Sequence, residues 1–480
     1  MTAGNHVSAS ARRPQRGAVF LRVLLTIAFA FAAPAVVGTA GAAPAVSTAP
    51  GSDPATLAPG GQQTVGAATA QKATPPQKNA GPASPLRRGF FVPSASERRF
   101  LPDEVILGIG ADVPTPTLDE LARRHSMTRE ETQDFPLTGR RMHRWRLSPR
   151  GSVTSMIRAL ASEPLVASAQ PNYLYALQQG APVAPANAAA PGDPAQYVIG
   201  KLRLAEAHRL ATGDRVVVAV IDSGIDDGHP ELVGAVAQKF DTLAAEEKPH
   251  VHGTEMAGAI ASHGRLLGVA PRASLLAVRA FSANAGAGEG TTFRILRGLD
   301  WAAGQSARVI NMSFAGPADP ALAEALARAR KRGIVLVAAA GNAGPKSPPL
   351  YPAADPNVIA VTATDADDKL FGAANRGSHI AVAAPGVDIL VPAPDANVSF
   401  TSGTSVAAAH VSGLAALVIQ VNPALGPDDV RKILTSTARN VGPRSRAAGF
   451  GAGLADALAA VTLAAPKAAA KPASGQAAGR

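Results

Sequence analysis

For most of this 480-residue chain the sequence predicts an α/β architecture, a parallel central sheet with helices on both faces, preceded by a small α+β block of ferredoxin-like arrangement. Three observations predict it. Between about residues 198 and 463, five short runs are predominantly apolar: VVVAVI (216–221), SLLAVRA (274–280), RVINMS (308–313), GIVLVAAA (333–340) and VIAVTA (358–363). Apolar runs of this length suit strands buried on both faces. Helical segments alternate with them, among them TTFRILRGLDWAAG and ALAEALARARKRG, the second stopped by Gly333. Upstream, strand-like and helical patterns succeed one another within 101–178.

Taken in order, residues 1–43 carry Arg12, Arg13, Arg16 and Arg22, then VLLTIAFAFAAPAVVG, then small residues around Ala40 and Ala42. That is the order of a secretory signal peptide; left uncleaved, it would anchor the chain in a membrane. No other stretch reads as a membrane span. Residues 44–100 are rich in Ala, Pro, Gly, Ser, Thr and Gln, as expected of a disordered linker. In 101–178, DEVILGIG reads as a strand, TLDELARRHSM as a helix and RRMHRWRLS as a strand. SVTSMIRALASEP, with Val153, Met156, Ile157 and Leu160 at helical spacing, follows as a helix, and VASAQPNYLYAL closes as a strand. A second Ala/Pro-rich linker spans 179–197, the sheet domain 198–463, and a low-complexity tail 464–480.

Composition excludes some chemistries. With no cysteine there is neither a disulfide framework, a thiolate metal site nor a cysteine nucleophile. The net charge of +11 divides into +8 for residues 1–178, zero for 179–465 and +3 for 466–480, so the largest block has no basic excess for nucleic acid. RRMHRWR is basic, but the paired aromatic stacking motif of RNA-binding sheets is missing around it.

FTSGTSVAAAHVSGLAAL (400–417) contains no Asp, Glu, Lys or Arg, and sets Ser405 where a glycine-bearing turn enters an apolar helix. A serine there can be a helix cap or a nucleophile, and the second role needs partners. Asp222 follows the apolar run VVVAVI, at the carboxyl end of a strand, where open α/β sheets gather their chemistry. Of ten histidines, His252 in HVHGTEMAGAIAS stands at the start of an apolar helix, where the helix dipole favours the neutral imidazole of a general base. His410 is five residues from Ser405 on one helix, about 140° around it, and reads as structural. Asn342 ends another apolar strand in VLVAAAGNAGP and can aim an amide at an oxyanion, with the Ser405 backbone N–H as a second donor.

The segments VAVIDSGIDDGHPEL, HGTEMAGAIAS, VINMSFAGP, VAAAGNAGP, YPAADPNVIAVTA and TSGTSVAAAHVSGLAALV resemble, in order, the signature blocks of the subtilisin-like serine proteases, over roughly residues 200–460. The resemblance implies an endopeptidase acting on polypeptides, with Asp222 orienting, His252 as base, Ser405 as nucleophile and Asn342 in the oxyanion hole. It further implies that Ser313, Phe314, Ala315 and Gly316, with Ala339 and Gly341, line the substrate site, and that block 101–178 is an inhibitory prosegment released within the following linker. The chemistry requires no cofactor. Calcium is left open by the acidic loop Asp365, Asp367 and Asp368, whose carboxylates solvation explains equally well. The sequence departs from the family pattern at Glu255, where a second histidine is usual, and at Val406 to Ala409 after the serine. Glu255 resembles the glutamate of the sedolisins, but those lack the His-Gly-Thr histidine. A secreted, self-processing protease is the expectation; a catalytically inactive scaffold on the same fold is the alternative.

Overall fold

In the computed structural model, residues 86–178, 195–243, 251–282, 288–441 and 449–466 are described. The signal segment, the first linker up to residue 85, residues 179–194 of the second linker and the tail from 467 lie outside them.

The upstream block runs β1 (Phe100–Ile109), α1 (Thr115–Arg124), β2 (Met127–Phe135), β3 (Arg140–Leu147), α2 (Val153–Leu160) and β4 (Val166–Leu177). Its antiparallel strands lie in the order β2-β3-β1-β4, the split arrangement of a ferredoxin-like sandwich. Pro residues open α1, where a missing N–H costs nothing, and Ser152 caps α2 by accepting the Ser155 N–H. Leu107, Leu121, Trp145, Ile157 and Leu160 are fully buried between sheet and helices. Each such side chain contributes about 1.5–3 kcal/mol of burial free energy. The structure adds a strand the sequence pattern did not indicate, β2. The linker expected to reach residue 100 also ends earlier, because Phe90 is buried and bridges to Ala169. In the basic run of β3, Arg141 pairs within the block with Asp134 at 2.6 Å and Arg144 with Glu104 at 2.8 Å.

The larger block continues with α3 (Val198–Leu202), α4 (Leu204–Ala207), β5 (Val217–Asp222), β6 (Val236–Asp241), α5 (Val251–Ala261), β7 (Ser274–Arg279), β8 (Phe281–Ser282), β9 (Glu289–Thr291) and α6 (Thr292–Gly304). It goes on through β10 (Val309–Met312), β11 (Phe314–Ala315), α7 (Pro320–Lys331), β12 (Val335–Ala339), β13 (Ile359–Thr364) and β14 (Ile380–Pro385). It closes with β15 (Ile389–Ala393), β16 (Asn397–Thr401), α8 (Thr404–Val421), α9 (Pro427–Ser436) and α10 (Ala457–Ala464). Seven parallel strands form the sheet, in the order β14-β13-β12-β10-β5-β7-β6. Strand alternation sends Val218 and Val220 to the face covered by α5 and α8, and Ala219 and Ile221 to the face covered by α6 and α7. All five apolar runs are therefore two-faced strands.

By length and composition, the expectation that no stretch besides the N-terminal segment could span a membrane does not hold. Besides the N-terminal segment, α8 is also long and apolar enough to cross a membrane, with 18 residues and a mean hydropathy of 1.6. Its apolarity has a different cause, since it is buried almost throughout against β12, β13 and α5.

The two blocks share a strand. Beyond its own sheet, β4 pairs antiparallel with β9 through Leu174–Ala176 and with β11 through Ala176 and Leu177. Gln170 and Asn172 of β4 accept the N–H groups of Ala321 and Phe293 in the first turns of α7 and α6. Phe135 packs edge-on to Phe293, Arg297 meets Glu131 at 2.9 Å, and Arg140 meets Glu324 at 2.9 Å.

Candidate active site

Asp222 closes β5 and is fully buried, its carboxylate accepting the Ser223 N–H at 2.8 Å and the Ser223 hydroxyl at 3.1 Å. His252, in the first turn of α5, turns Nδ1 onto it, 2.8 Å from Oδ1 and 2.9 Å from Oδ2. The approach depends on a glycine. A Cβ on Gly253 would lie 2.0 Å from the Gly224 carbonyl oxygen, so only glycine lets the helix start reach the turn after β5. Burial pushes the His252 imidazolium down. The Asp222 carboxylate outweighs it by charge and hydrogen bond, Glu255 adds to that, and the net shift is upward from the ordinary histidine value.

Ser405 stands in the first turn of α8, and its hydroxyl donates to the carbonyl of Gln178 at 2.6 Å, with the Ser313 carbonyl at 3.3 Å. The Asn342 side-chain amide donates to the same Gln178 oxygen at 3.0 Å. Asn342 is held in turn by Thr404, whose N–H and hydroxyl donate to Oδ1 at 3.1 and 2.8 Å. The Asn342 backbone N–H donates to Gln178 Oε1 at 2.9 Å, and the Gln178 N–H to the Ser313 carbonyl at 3.2 Å. Gln178 is the residue directly after β4. Its carbonyl thus sits between a hydroxyl and an amide at the end of a strand laid between β9 and β11.

Of the residues expected to line a substrate site, Ser313, Phe314 and Ala315 bond or pair with Gln178, Leu177 and Ala176, and Gly316 lies against the Tyr175 ring. Gly341, at φ +107°, donates its N–H to Thr404, whereas Ala339 is a sheet residue paired with Val361. His410 is structural, as its helical phase implied. It is buried with Nδ1 on the Pro385 carbonyl at 2.9 Å, and burial pushes its pKa down to about 4. Glu255, one turn beyond His252, is buried and accepts the Ser399 and Thr401 hydroxyls at 3.3 and 3.1 Å. Burial raises its pKa above the usual carboxylate value. It ties the helix carrying His252 to the strand that leads into Ser405. Sequence reasoning did not single out Gln178, Thr404 or Ser223. The only signal for Gln178 is its position, where the last strand of the upstream block gives way to Ala/Pro-rich chain.

Among the described residues no group of three or more His, Asp or Glu side chains is arranged to hold a metal ion. The acidic loop is bound otherwise: Asp365 accepts the N–H groups of Asp367 and Lys369, Asp367 pairs with Lys369, and Asp368 with Lys201 at 2.8 Å.

A two-faced parallel sheet with helices on both sides makes the fold α/β, with the buried Asp222–His252 pair and the helix-borne Ser405 set at strand and helix ends. The family is more particular. The model of the subtilase family, peptidase S8, matches residues 213–453, and the chain belongs to that family. Subtilisin E of Bacillus subtilis (strain 168) is 38% identical over 258 residues, 51% of this chain and 66% of the relative. Thermitase of Thermoactinomyces vulgaris is 35% identical over 263 residues, 52% of this chain and 92% of the relative. The chain thus spans slightly less than two thirds of the length of subtilisin E. Among solved structures it is similar to fervidolysin from Fervidobacterium pennivorans, described as a keratinolytic enzyme related to subtilisin. That likeness has a TM-score of 0.64 and 25% identity, covering 76% of this chain and 61% of the other.

Proposed function

We propose that the protein is a secreted serine endopeptidase made as a self-processing precursor, and that residues up to Gln178 form its inhibitory prosegment. The observation that carries this reading is the Gln178 carbonyl, held by Ser405 Oγ at 2.6 Å and Asn342 Nδ2 at 3.0 Å. The strand before it is paired on both sides, so β4 occupies the groove as a substrate strand would. Secretion rests on the N-terminal segment and its signal-like order.

In the proposed reaction His252 takes the Ser405 proton as Oγ attacks the carbonyl carbon before the Gln178–Gln179 bond. Asp222, on Nδ1, fixes the tautomer and stabilises the imidazolium that forms. The negative oxygen meets the Asn342 amide, already aligned by Thr404, so no reorganisation is needed when charge develops. The imidazolium protonates the leaving amine of Gln179, and water, deprotonated by His252, releases the acyl group from Ser405. No cofactor enters the chemistry. The inactive-scaffold alternative is the weaker one, because Asp222, His252, Asn342 and Ser405 are all present and Ser405 faces a carbonyl. A fluorophosphonate probe tests this: the processed wild-type chain should be labelled and Ser405→Ala should not. An unlabelled, folded wild-type chain would favour the scaffold.

A further inference from the structure

Four residues before the proposed bond, Tyr175 is buried to 1% exposure in a pocket of the larger block. Its ring stands edge-on to Phe314, with centroids 5.8 Å apart. A Cβ on Gly316 would lie 2.4 Å from the ring, so the pocket is open to an aromatic only because residue 316 is glycine. At its base the Tyr175 hydroxyl is 3.2 Å from Asp319 Oδ2 and 3.3 Å from the Pro317 carbonyl. Asp319 is itself buried. Its Oδ1 caps α7 through the Ala321 and Leu322 N–H groups and accepts the Gln170 side-chain amide, while Oδ2 also accepts the Thr292 hydroxyl at 2.6 Å.

We propose that Asp319 makes this pocket selective for tyrosine at the fourth residue before the cleaved bond, in substrates as in the prosegment. The inference rests on reading β4 as occupying the substrate groove. Phenylalanine would fill the same apolar walls but leave a buried carboxylate one donor short, and a site built to bond a hydroxyl rejects the analogue that lacks it. A hydrogen bond to a charged acceptor implies a preference of about 10-fold or more in kcat/KM.

The test uses the processed enzyme and two peptides spanning residues 172–182, one as in this sequence and one with phenylalanine in place of Tyr175. The ratio of their kcat/KM values within one enzyme cancels general losses of activity. The tyrosine peptide should be preferred about 10-fold by the wild type. Asp319→Ser keeps a helix cap but falls short of the hydroxyl, and should bring the ratio to about 1. Asp319→Asn, which retains shape and cap with a neutral acceptor, should reduce it severalfold. Equal rates in the wild type, or an unchanged ratio in Asp319→Ser and Asp319→Asn, would overturn the inference while leaving peptidase activity standing. Failure of the wild type to cut either peptide would overturn it together with the reading on which it rests.

Discussion

Asn342→Ala isolates the step at which charge develops. The substitution removes one donor, the Nδ2 amide 3.0 Å from the Gln178 oxygen, and leaves the two Thr404 donors without their acceptor. In subtilisin, losing the asparagine of this role costs about 10²–10³ in kcat. Part of that loss belongs to binding here, because the bond is already made to an uncharged carbonyl. A neutral hydrogen bond is worth about 1 kcal/mol, or roughly fivefold. The expected outcome is therefore a kcat lower by about 10², with KM raised by no more than about fivefold. Self-processing of the precursor should slow by a similar factor. Steady-state hydrolysis of a chromogenic peptide, beside a time course of precursor conversion on a denaturing gel, measures both. A KM increase alone with kcat unchanged would refute the reasoning and make Asn342 a ground-state binding residue.

Three further outcomes are expected. The Glu255 charge helps hold the His252 pKa up, and activity requires the neutral imidazole, so Glu255→Gln should move the acidic limb of the kcat/KM profile to lower pH. Because the folded Glu255 pKa is raised by burial, its ionisation costs stability above the unfolded pKa, and Glu255→Gln should not lower the melting temperature at neutral pH; a limb unmoved or shifted upward would contradict this. Glu231→Ala, in a Ser405→Ala background to prevent autolysis, strips the buried acceptor of the Gly264, Arg265 and Leu266 N–H groups, bonded at 3.0, 2.8 and 2.9 Å. It should cost about 3 kcal/mol or more and lower the melting temperature by roughly 5–10 °C in a calorimeter. Added in trans, fragment 86–178, which has its own buried cluster, should inhibit the processed enzyme at micromolar concentration; no effect would count against the prosegment reading.

Those parts of the fold whose reason is burial on two faces were readable in the sequence. VVVAVI and GIVLVAAA can be little else, and they became β5 and β12. β6, VAQKFD, lies at the sheet edge with exposed residues in its middle, and β2, MTREETQDF, is fully buried only at its two ends, Met127 and Phe135, so neither carries an apolar run. The same distinction governs the site. Asp222, His252, Asn342 and Ser405 announce themselves because each is a polar residue set against apolar sequence at a strand or helix end. Gln178 does not, since what matters is its backbone carbonyl and the strand that delivers it, and that pairing joins residues over a hundred apart. Asp319 caps α7, and only the fold brings the Tyr175 hydroxyl to it.

Under the proposed function, Ser405 cuts the chain after Gln178. The direct measurement is the N-terminal sequence and intact mass of the product formed by purified precursor, followed at several protein concentrations and beside Ser405→Ala. The expected product is a mature chain that begins at Gln179, formed at a rate of first cleavage independent of dilution, with the Ser405→Ala precursor remaining whole. A first cut elsewhere, or the same cut made by pure Ser405→Ala, would contradict it.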